Sequence, residues 1–238
     1  MSETMRMWIE VSFNVSYLIV VWALVFVMWR RQALVVPANR LIAMRVLQAF
    51  ALLALGDSGH VGFRVIAYAL GGQEANAGLI GAGSFATAVT VTFFYMLLVD
   101  IWRLRFIKSI GWFGWVLLGA GVVRLIVMLL PQNDWGAVTP PYSWSLFRNS
   151  LLTFQGLGVM YLILRDAAQA RDQAFVWIGV MIALSYTFYI PVILWSAVAP
   201  LLGMLMIPKT LAYLGVAFIA YYEMYSQHAT QPGQAVSA

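Results

Sequence analysis

Seven long apolar runs alternate with short polar links along this 238-residue chain. Each run approaches the length of about 20 residues that an α-helix needs to cross the hydrocarbon core of a bilayer. Strands of membrane barrels are shorter, at about ten residues, and alternate in polarity, which these runs do not. The pattern predicts an all-α membrane protein with seven transmembrane helices, at about residues 8–29, 41–70, 77–101, 110–130, 145–164, 175–198 and 201–225.

The seven runs predict one transmembrane domain over residues 1–225, followed by a tail at 226–238. The tail is polar and small in composition, which favours disorder. The first run is too long for the core of a signal peptide and lacks a small-residue cleavage site, so we interpret it as a span. The longest link, residues 131–144, contains Pro, Gly, Trp135 and Trp144, which is typical of a loop at the level of the lipid headgroups.

Basic residues follow only the odd-numbered spans. The links after spans one, three and five contain Arg30, Arg31, Arg40, Arg103, Arg105, Lys108, Arg165 and Arg171. The links after spans two, four and six contain no Lys or Arg. By the positive-inside rule, we expect the N-terminus outside and the C-terminus cytoplasmic, with the helices in contact with membrane lipids. We expect that membrane to be the bacterial cytoplasmic (inner) membrane.

Composition supports a membrane bundle and removes several classes of function. The chain is 63% hydrophobic and 10% charged, whereas soluble domains carry about 25% charged residues. It has no cysteine, which excludes disulfides, thiolate metal sites and cysteine nucleophiles. The net charge of +5 comes mostly from residues beside helix ends, so it does not indicate nucleic acid. A homo-oligomer is neither predicted nor excluded.

Ionisable residues also fall inside the predicted spans, where a functional role is the default hypothesis. Asp57, His60 and Arg64 share one face of the second span, at positions i, i+3 and i+7. On the predicted topology, five spans place such groups in the outer leaflet: Glu10, Asp57, His60, Arg64, Arg124, Arg148 and Lys209. Lys209 lies about 12 Å from the outer end of its span. Cations outnumber acids in this set, and unpaired cations are costly in a low dielectric.

The surplus of positive charge predicts an outward-facing cationic pocket. We expect it to bind a small anionic ligand or a lipid headgroup, in a receptor, sensor or carrier, with the link at 131–144 as its lid. The predicted ligand-binding residues are Asp57, His60, Arg64, Lys209, Glu10, Asn14, Arg124, Arg148, Tyr186 and Tyr189.

Structural alternatives exist for each part of this pocket. The alternative for Arg124 and Arg148 is snorkelling, in which the side chains extend toward the outer lipid headgroups. The structural alternative for Asp57 is an ion pair with Arg64. The structural alternative for Lys209 is an ion pair with Asp57 or with Glu10. The glycines at 56, 59 and 62 favour close packing of helices.

Catalytic chemistry is the less favoured interpretation, and we assign no catalytic or metal-binding residue. His60 cannot form a zinc site alone, and the other histidine, His228, lies in the tail. Ser58 lies two residues from His60 and points away from the face shared with Asp57, so the three cannot form a catalytic triad. A lipid-modifying enzyme that uses His60 as a base, or Asp57 and His60 as an acid–base pair, is the third hypothesis.

Residues of the last two spans resemble those of the microbial rhodopsins: Tyr186, Tyr189, Pro191, Trp195 and Lys209. The resemblance, which also covers the seven-span topology, implies a photoreceptor or pump in which Lys209 carries retinal as a Schiff base. Those proteins usually hold acids in the third helix, whereas residues 81–95 contain none. The counterion would then be Asp57 or Glu10.

A second resemblance rests on two short blocks. Residues 56–64, with Gly-Asp-Ser-Gly-His and a following Arg, and residues 206–209, Met-Ile-Pro-Lys, are similar to segments of a bacterial seven-helix membrane family without an assigned activity. This resemblance implies the same architecture and no particular function.

Overall fold

A computed structural model describes residues 3–226, and the side chains from residue 8 onward. Seven α-helices account for most of them: α1 (Glu3–Arg31), α2 (Arg40–Ala69), α3 (Ala77–Arg105), α4 (Trp112–Leu129), α5 (Tyr142–Ala170), α6 (Gln173–Trp195) and α7 (Met206–Tyr225). Short 3₁₀ helices lie at Gln32–Leu34, Pro37–Asn39, Pro131–Asn133 and Pro200–Leu205. The described residues contain no strand.

The described residues form seven helical segments that are long and apolar enough to cross a membrane, which confirms the predicted all-α architecture and the number of candidate spans. Each helix packs against the next in sequence, and α1 also contacts α7, so the helices form a closed ring. Helix α3 packs against α2, α4 and α5. Its residues Phe94 and Tyr95 are fully buried, in the largest hydrophobic cluster of the bundle.

Several helix boundaries differ from the prediction, and helix α3 continues to Arg105, so that Arg103 and Arg105 belong to it and not to the following link. Helix α5 continues to Ala170, so Arg165 and Asp166 belong to a helix and not to a link. Their charges do not end the helix because Asp166 pairs with Arg165 at 2.9 Å and accepts a hydrogen bond from Trp102 Nε1 at 2.8 Å. The seventh span begins with a 3₁₀ segment, Pro200–Leu205, and becomes α-helical at Met206.

Neither proline of the last two helices ends the helix that contains it. Pro208 lies in the first turn of α7, where a backbone N–H has no partner within the helix, so its missing donor breaks no helical hydrogen bond. Pro191 lies inside α6, which continues to Trp195.

Helices α2 and α3 approach closely at two glycines. A Cβ atom at Gly56 would lie 1.8 Å from Thr90 Oγ1, and one at Gly83 would lie 3.0 Å from the His60 Cα atom. The Thr87 hydroxyl donates to the Gly56 carbonyl at 2.8 Å. The predicted glycine packing therefore applies at Gly56, whereas a Cβ at Gly62 would meet nothing within 4 Å.

Ion pairs tie the helices together at the end that carries the basic links. Arg105 binds Asp172 at 2.7 Å and Glu223 at 2.6 Å, which joins α3 to the α5–α6 link and to α7. Arg45, absent from the predicted site, pairs with Asp100 at 2.8 Å. The predicted tail lies outside the described residues except for Ser226, whose hydroxyl donates to the Tyr222 carbonyl at 2.7 Å.

Candidate functional site

A cavity of about 430 Å³ lies inside the helix ring, near the end opposite the basic links. All seven helices and the α4–α5 loop contribute to its lining. Its size falls in the range of about 300–1,000 Å³ that is common for small-molecule sites. The ten residues predicted for the pocket all line this cavity: Glu10, Asn14, Asp57, His60, Arg64, Arg124, Arg148, Tyr186, Tyr189 and Lys209.

The α1–α2 wall contains both carboxylates of the cavity. Arg64 Nη1 lies 3.7 Å from Glu10 Oε2, which links the two helices. Asp57 Oδ2 accepts a hydrogen bond of 2.9 Å from the Tyr17 hydroxyl, also on α1. The alternative in which Asp57 pairs with Arg64 is therefore wrong, since each has a different partner on the neighbouring helix.

Lys209 enters the cavity from the first turn of α7. Its Nζ lies 5.1 Å from the ring centroids of both Tyr189 and Tyr213, which is cation–π geometry. No carboxylate of the described side chains lies within 4 Å of this ammonium group, so the alternative of a direct ion pair with Asp57 or Glu10 is not found. Asp57 is the acid that acts on Lys209 electrostatically, without contact.

Arg124 reaches the cavity from α4 and is 2% exposed. Its Nε donates to the Arg148 carbonyl at 2.9 Å, and its Nη1 donates to the Ala88 carbonyl at 2.7 Å and to the Thr92 hydroxyl. The side chain thus connects α4 with α3 and α5 and points inward. Snorkelling to the headgroups is wrong for Arg124.

Arg148 lies on the first half of α5 and is also buried. Its Nη1 donates to Asn133 Oδ1 at 3.0 Å, its Nη2 donates to Ser145 Oγ at 3.3 Å, and the guanidinium carbon lies 4.3 Å from the Trp135 ring centroid. These contacts hold Arg148 against the protein, so snorkelling does not describe it either.

The predicted lid is shorter than expected and is fixed to the bundle. Residues 142–144 belong to α5, which leaves residues 130–141 between α4 and α5. Asn133 is fully buried and donates to the Val127 carbonyl at 2.6 Å, while Trp135 Nε1 donates to the Met128 carbonyl at 3.0 Å. The Trp135 carbonyl packs directly on Gly81 of α3. The loop therefore contributes a wall of the cavity.

Several lining residues were missing from the predicted set: Tyr17, Trp135, Asn149, Ser185 and Tyr213. Tyr17 lies seven residues after Glu10, and Tyr213 lies four residues after Lys209. Helical spacing predicts Tyr17 on the face of Glu10 and Asn14, and the same spacing would have placed Tyr213 on the face of Lys209. Tyr213 extends the polar lining into the core, because its hydroxyl is hydrogen-bonded to that of Tyr95.

His60 is a polar wall group without a nucleophile beside it. Its Nδ1 atom is buried and has no hydrogen-bond partner among the described residues. Ser58 faces α1, where its hydroxyl donates to the Ala54 carbonyl at 2.7 Å and accepts from Trp22 Nε1 at 2.9 Å. The described side chains contain no group of three or more His, Asp or Glu residues placed to hold a metal ion.

Comparison with protein-family models, curated proteins and solved structures finds no match to this chain. The chemistry of the cavity therefore rests on its own residues. It presents the cations Arg64, Arg124, Arg148 and Lys209 and the carboxylates Glu10 and Asp57. With tyrosine hydroxyls and one imidazole between them, this lining suits a bound anion better than a bound cation.

Proposed function

We propose that this chain is a receptor, sensor or carrier of the bacterial inner membrane whose cavity binds a small anionic ligand or a lipid headgroup. The proposal includes an N-terminus outside the cell and a cavity in the outer half of the bundle. The absence of Lys and Arg in the links after α2, α4 and α6 supports this orientation.

The charge of the cavity is the observation that carries this proposal. Four cationic side chains and two carboxylates line one cavity. Cations that are removed from water without a counter-charge raise the free energy of the folded state. An anion that binds there supplies the missing counter-charge, and water in an open cavity does so only in part.

The test is ligand-dependent thermal unfolding of the purified protein. The ligands are inorganic phosphate, sulfate, small carboxylates and phosphatidylglycerol. A ligand at 100 times its Kd raises the free energy of unfolding by about 2.7 kcal/mol. We expect this gain to be lost in Lys209→Ala and Arg64→Ala. It should be kept in Lys108→Ala, whose side chain is 46% exposed at the other end of the bundle. Wild-type responses in both cavity variants would show that the site is misplaced.

Retinal is a second candidate ligand, because the Lys209 amine lines the cavity between two tyrosine rings. A Schiff base at this amine would have Asp57 as the nearby acid that acts on it. Purified protein that is mixed with all-trans retinal should then become coloured, Lys209→Ala should stay colourless, and Lys108→Ala should colour like the wild type. The absence of a visible band in the wild type ends this candidate.

A further inference from the structure

The surplus charge of the cavity is concentrated at one end. Arg64 has Glu10 at 3.7 Å, and Lys209 shares its part of the cavity with Asp57. Arg124 and Arg148, on α4 and α5, have no carboxylate within 4 Å among the described side chains. The two arginines are neighbours, since Arg124 Nε donates to the backbone carbonyl of Arg148 at 2.9 Å. The unbalanced charge of about two units therefore belongs to this pair.

Both arginines keep donors that the protein does not use. Arg124 bonds through Nε and through Nη1, which leaves the two hydrogens of Nη2 without an acceptor among the described residues. Arg148 bonds through Nη1 and Nη2, and its Nε–H has no described acceptor. Both side chains line the cavity, so a group within it can accept from them.

The used donors hold the two guanidinium groups in place. Arg124 is fixed by carbonyl oxygens of α3 and α5, and Arg148 by Asn133, Ser145 and the face of Trp135. A ligand that binds to side chains ordered in this way loses little affinity to the ordering of flexible groups.

We propose that Arg124 and Arg148 form an oxyanion subsite that takes a phosphate group, an inference that rests on the proposed anion-binding function. Guanidinium N–H groups form charge-assisted hydrogen bonds with phosphate oxygens. Arg124 offers Nη2 for such bonds, and Arg148 offers Nε. A doubly charged phosphate also balances the two arginines. The group enters as free phosphate or as the phosphomonoester of a lipid, since the chemistry of recognition is the same.

Phosphate binding, measured by calorimetry, tests the subsite. Arg148→Gln should bind inorganic phosphate at least about tenfold more weakly than the wild type, because it loses a charged donor. Arg148→Lys keeps the charge without the guanidinium group, so its affinity should fall between those of the wild type and Arg148→Gln. If Arg148→Gln does not fold, Arg148→Lys is the variant that tests the subsite. Lys108→Ala, at the other end of the bundle, should leave the affinity unchanged.

Tryptophan fluorescence gives a local readout, since Trp135 stacks on Arg148. Phosphate should change the emission of the wild type, and Trp135→Phe, which keeps an aromatic ring beside Arg148, should lose that change. Nanodiscs with phosphatidic acid, against nanodiscs of phosphatidylcholine alone, separate the sources of the group. Binding that needs Arg148 only with phosphatidic acid assigns the subsite to a lipid.

Two outcomes overturn the subsite and are distinguishable. If Lys209→Met abolishes anion binding and Arg148→Gln leaves it unchanged, the subsite is wrong and the proposed anion-binding cavity stands. If the wild-type protein binds neither free phosphate nor phosphatidic acid in nanodiscs, the subsite and the proposed function both fail.

Discussion

The hydroxyl of Tyr17 donates a hydrogen bond of 2.9 Å to the Asp57 carboxylate, which makes a tyrosine the direct partner of this acid. Lys209, the nearby cation, contacts the rings of Tyr189 and Tyr213 instead. The carboxylate and the ammonium group in this part of the cavity are thus both held by tyrosine side chains. A ligand can contact either group without first breaking an ion pair between them.

Replacement of Tyr17 by Phe removes the donor and leaves a buried carboxylate oxygen without it. We expect the free energy of unfolding to fall by about 1–3 kcal/mol. Tyr222→Phe is the matched control, because Tyr222 is 66% exposed on the outside of α7. Unfolding of the purified proteins in one detergent measures the difference. Equal stability of the two variants would mean that the Tyr17–Asp57 bond contributes nothing.

Glycine packing between α2 and α3 gives a second prediction. A methyl group at Gly56 would overlap Thr90, with Thr90 Oγ1 at 1.8 Å and Cβ at 2.9 Å, so Gly56→Ala must displace α3. Such overpacking destabilises by about 1–3 kcal/mol. Gly62→Ala, six residues along the same helix, meets open space and should be neutral or gain up to about 1 kcal/mol from helix propensity. Melting temperatures that shift alike in both variants would contradict the close contact.

The absence of native cysteine allows a direct test of the proposed orientation. A single cysteine at Gln132, exposed in the α4–α5 loop, should react with a membrane-impermeant maleimide in whole cells. A cysteine at Ile107, which is 92% exposed in the α3–α4 link, should react only after the cells are lysed. The reverse pattern would place the cavity on the cytoplasmic side.

The helices could largely be predicted from the sequence, because their apolar runs match the length of a span. The ends of the helices were harder to predict. The charges of Arg165 and Asp166 suggested a link, but their pairing with each other and with Trp102 keeps them helical. The 3₁₀ start of the last span depends on Pro200 and on the packing of the following residues against α6, which periodicity does not encode.

The residues around the cavity could also be predicted, since depth along a helix and helical face follow from numbering and topology. The partner that each of these side chains contacts could not be predicted. Whether Arg64 contacts Asp57 or Glu10 depends on how far α1 is rotated against α2, and the structure has Glu10 as the partner. The inward turn of Asn133 to meet Arg148 depends on a loop whose path no periodic pattern describes.

The last prediction concerns the contact between the α4–α5 loop and α3. A Cβ atom at Gly81 would lie 1.5 Å from the Trp135 carbonyl oxygen and 2.5 Å from its carbonyl carbon, so Gly81→Ala must push the loop away. Because Trp135 lies over Arg148, this movement should lower both the melting temperature and the affinity for the anion, the former by overpacking of about 1–3 kcal/mol. Gly78→Ala, one turn earlier on α3, meets nothing within 4 Å and serves as the control. If Gly81→Ala loses stability but binds anions like the control, the loop supports the fold without shaping the site, whereas a loss of both assigns Trp135 and its loop to the binding wall.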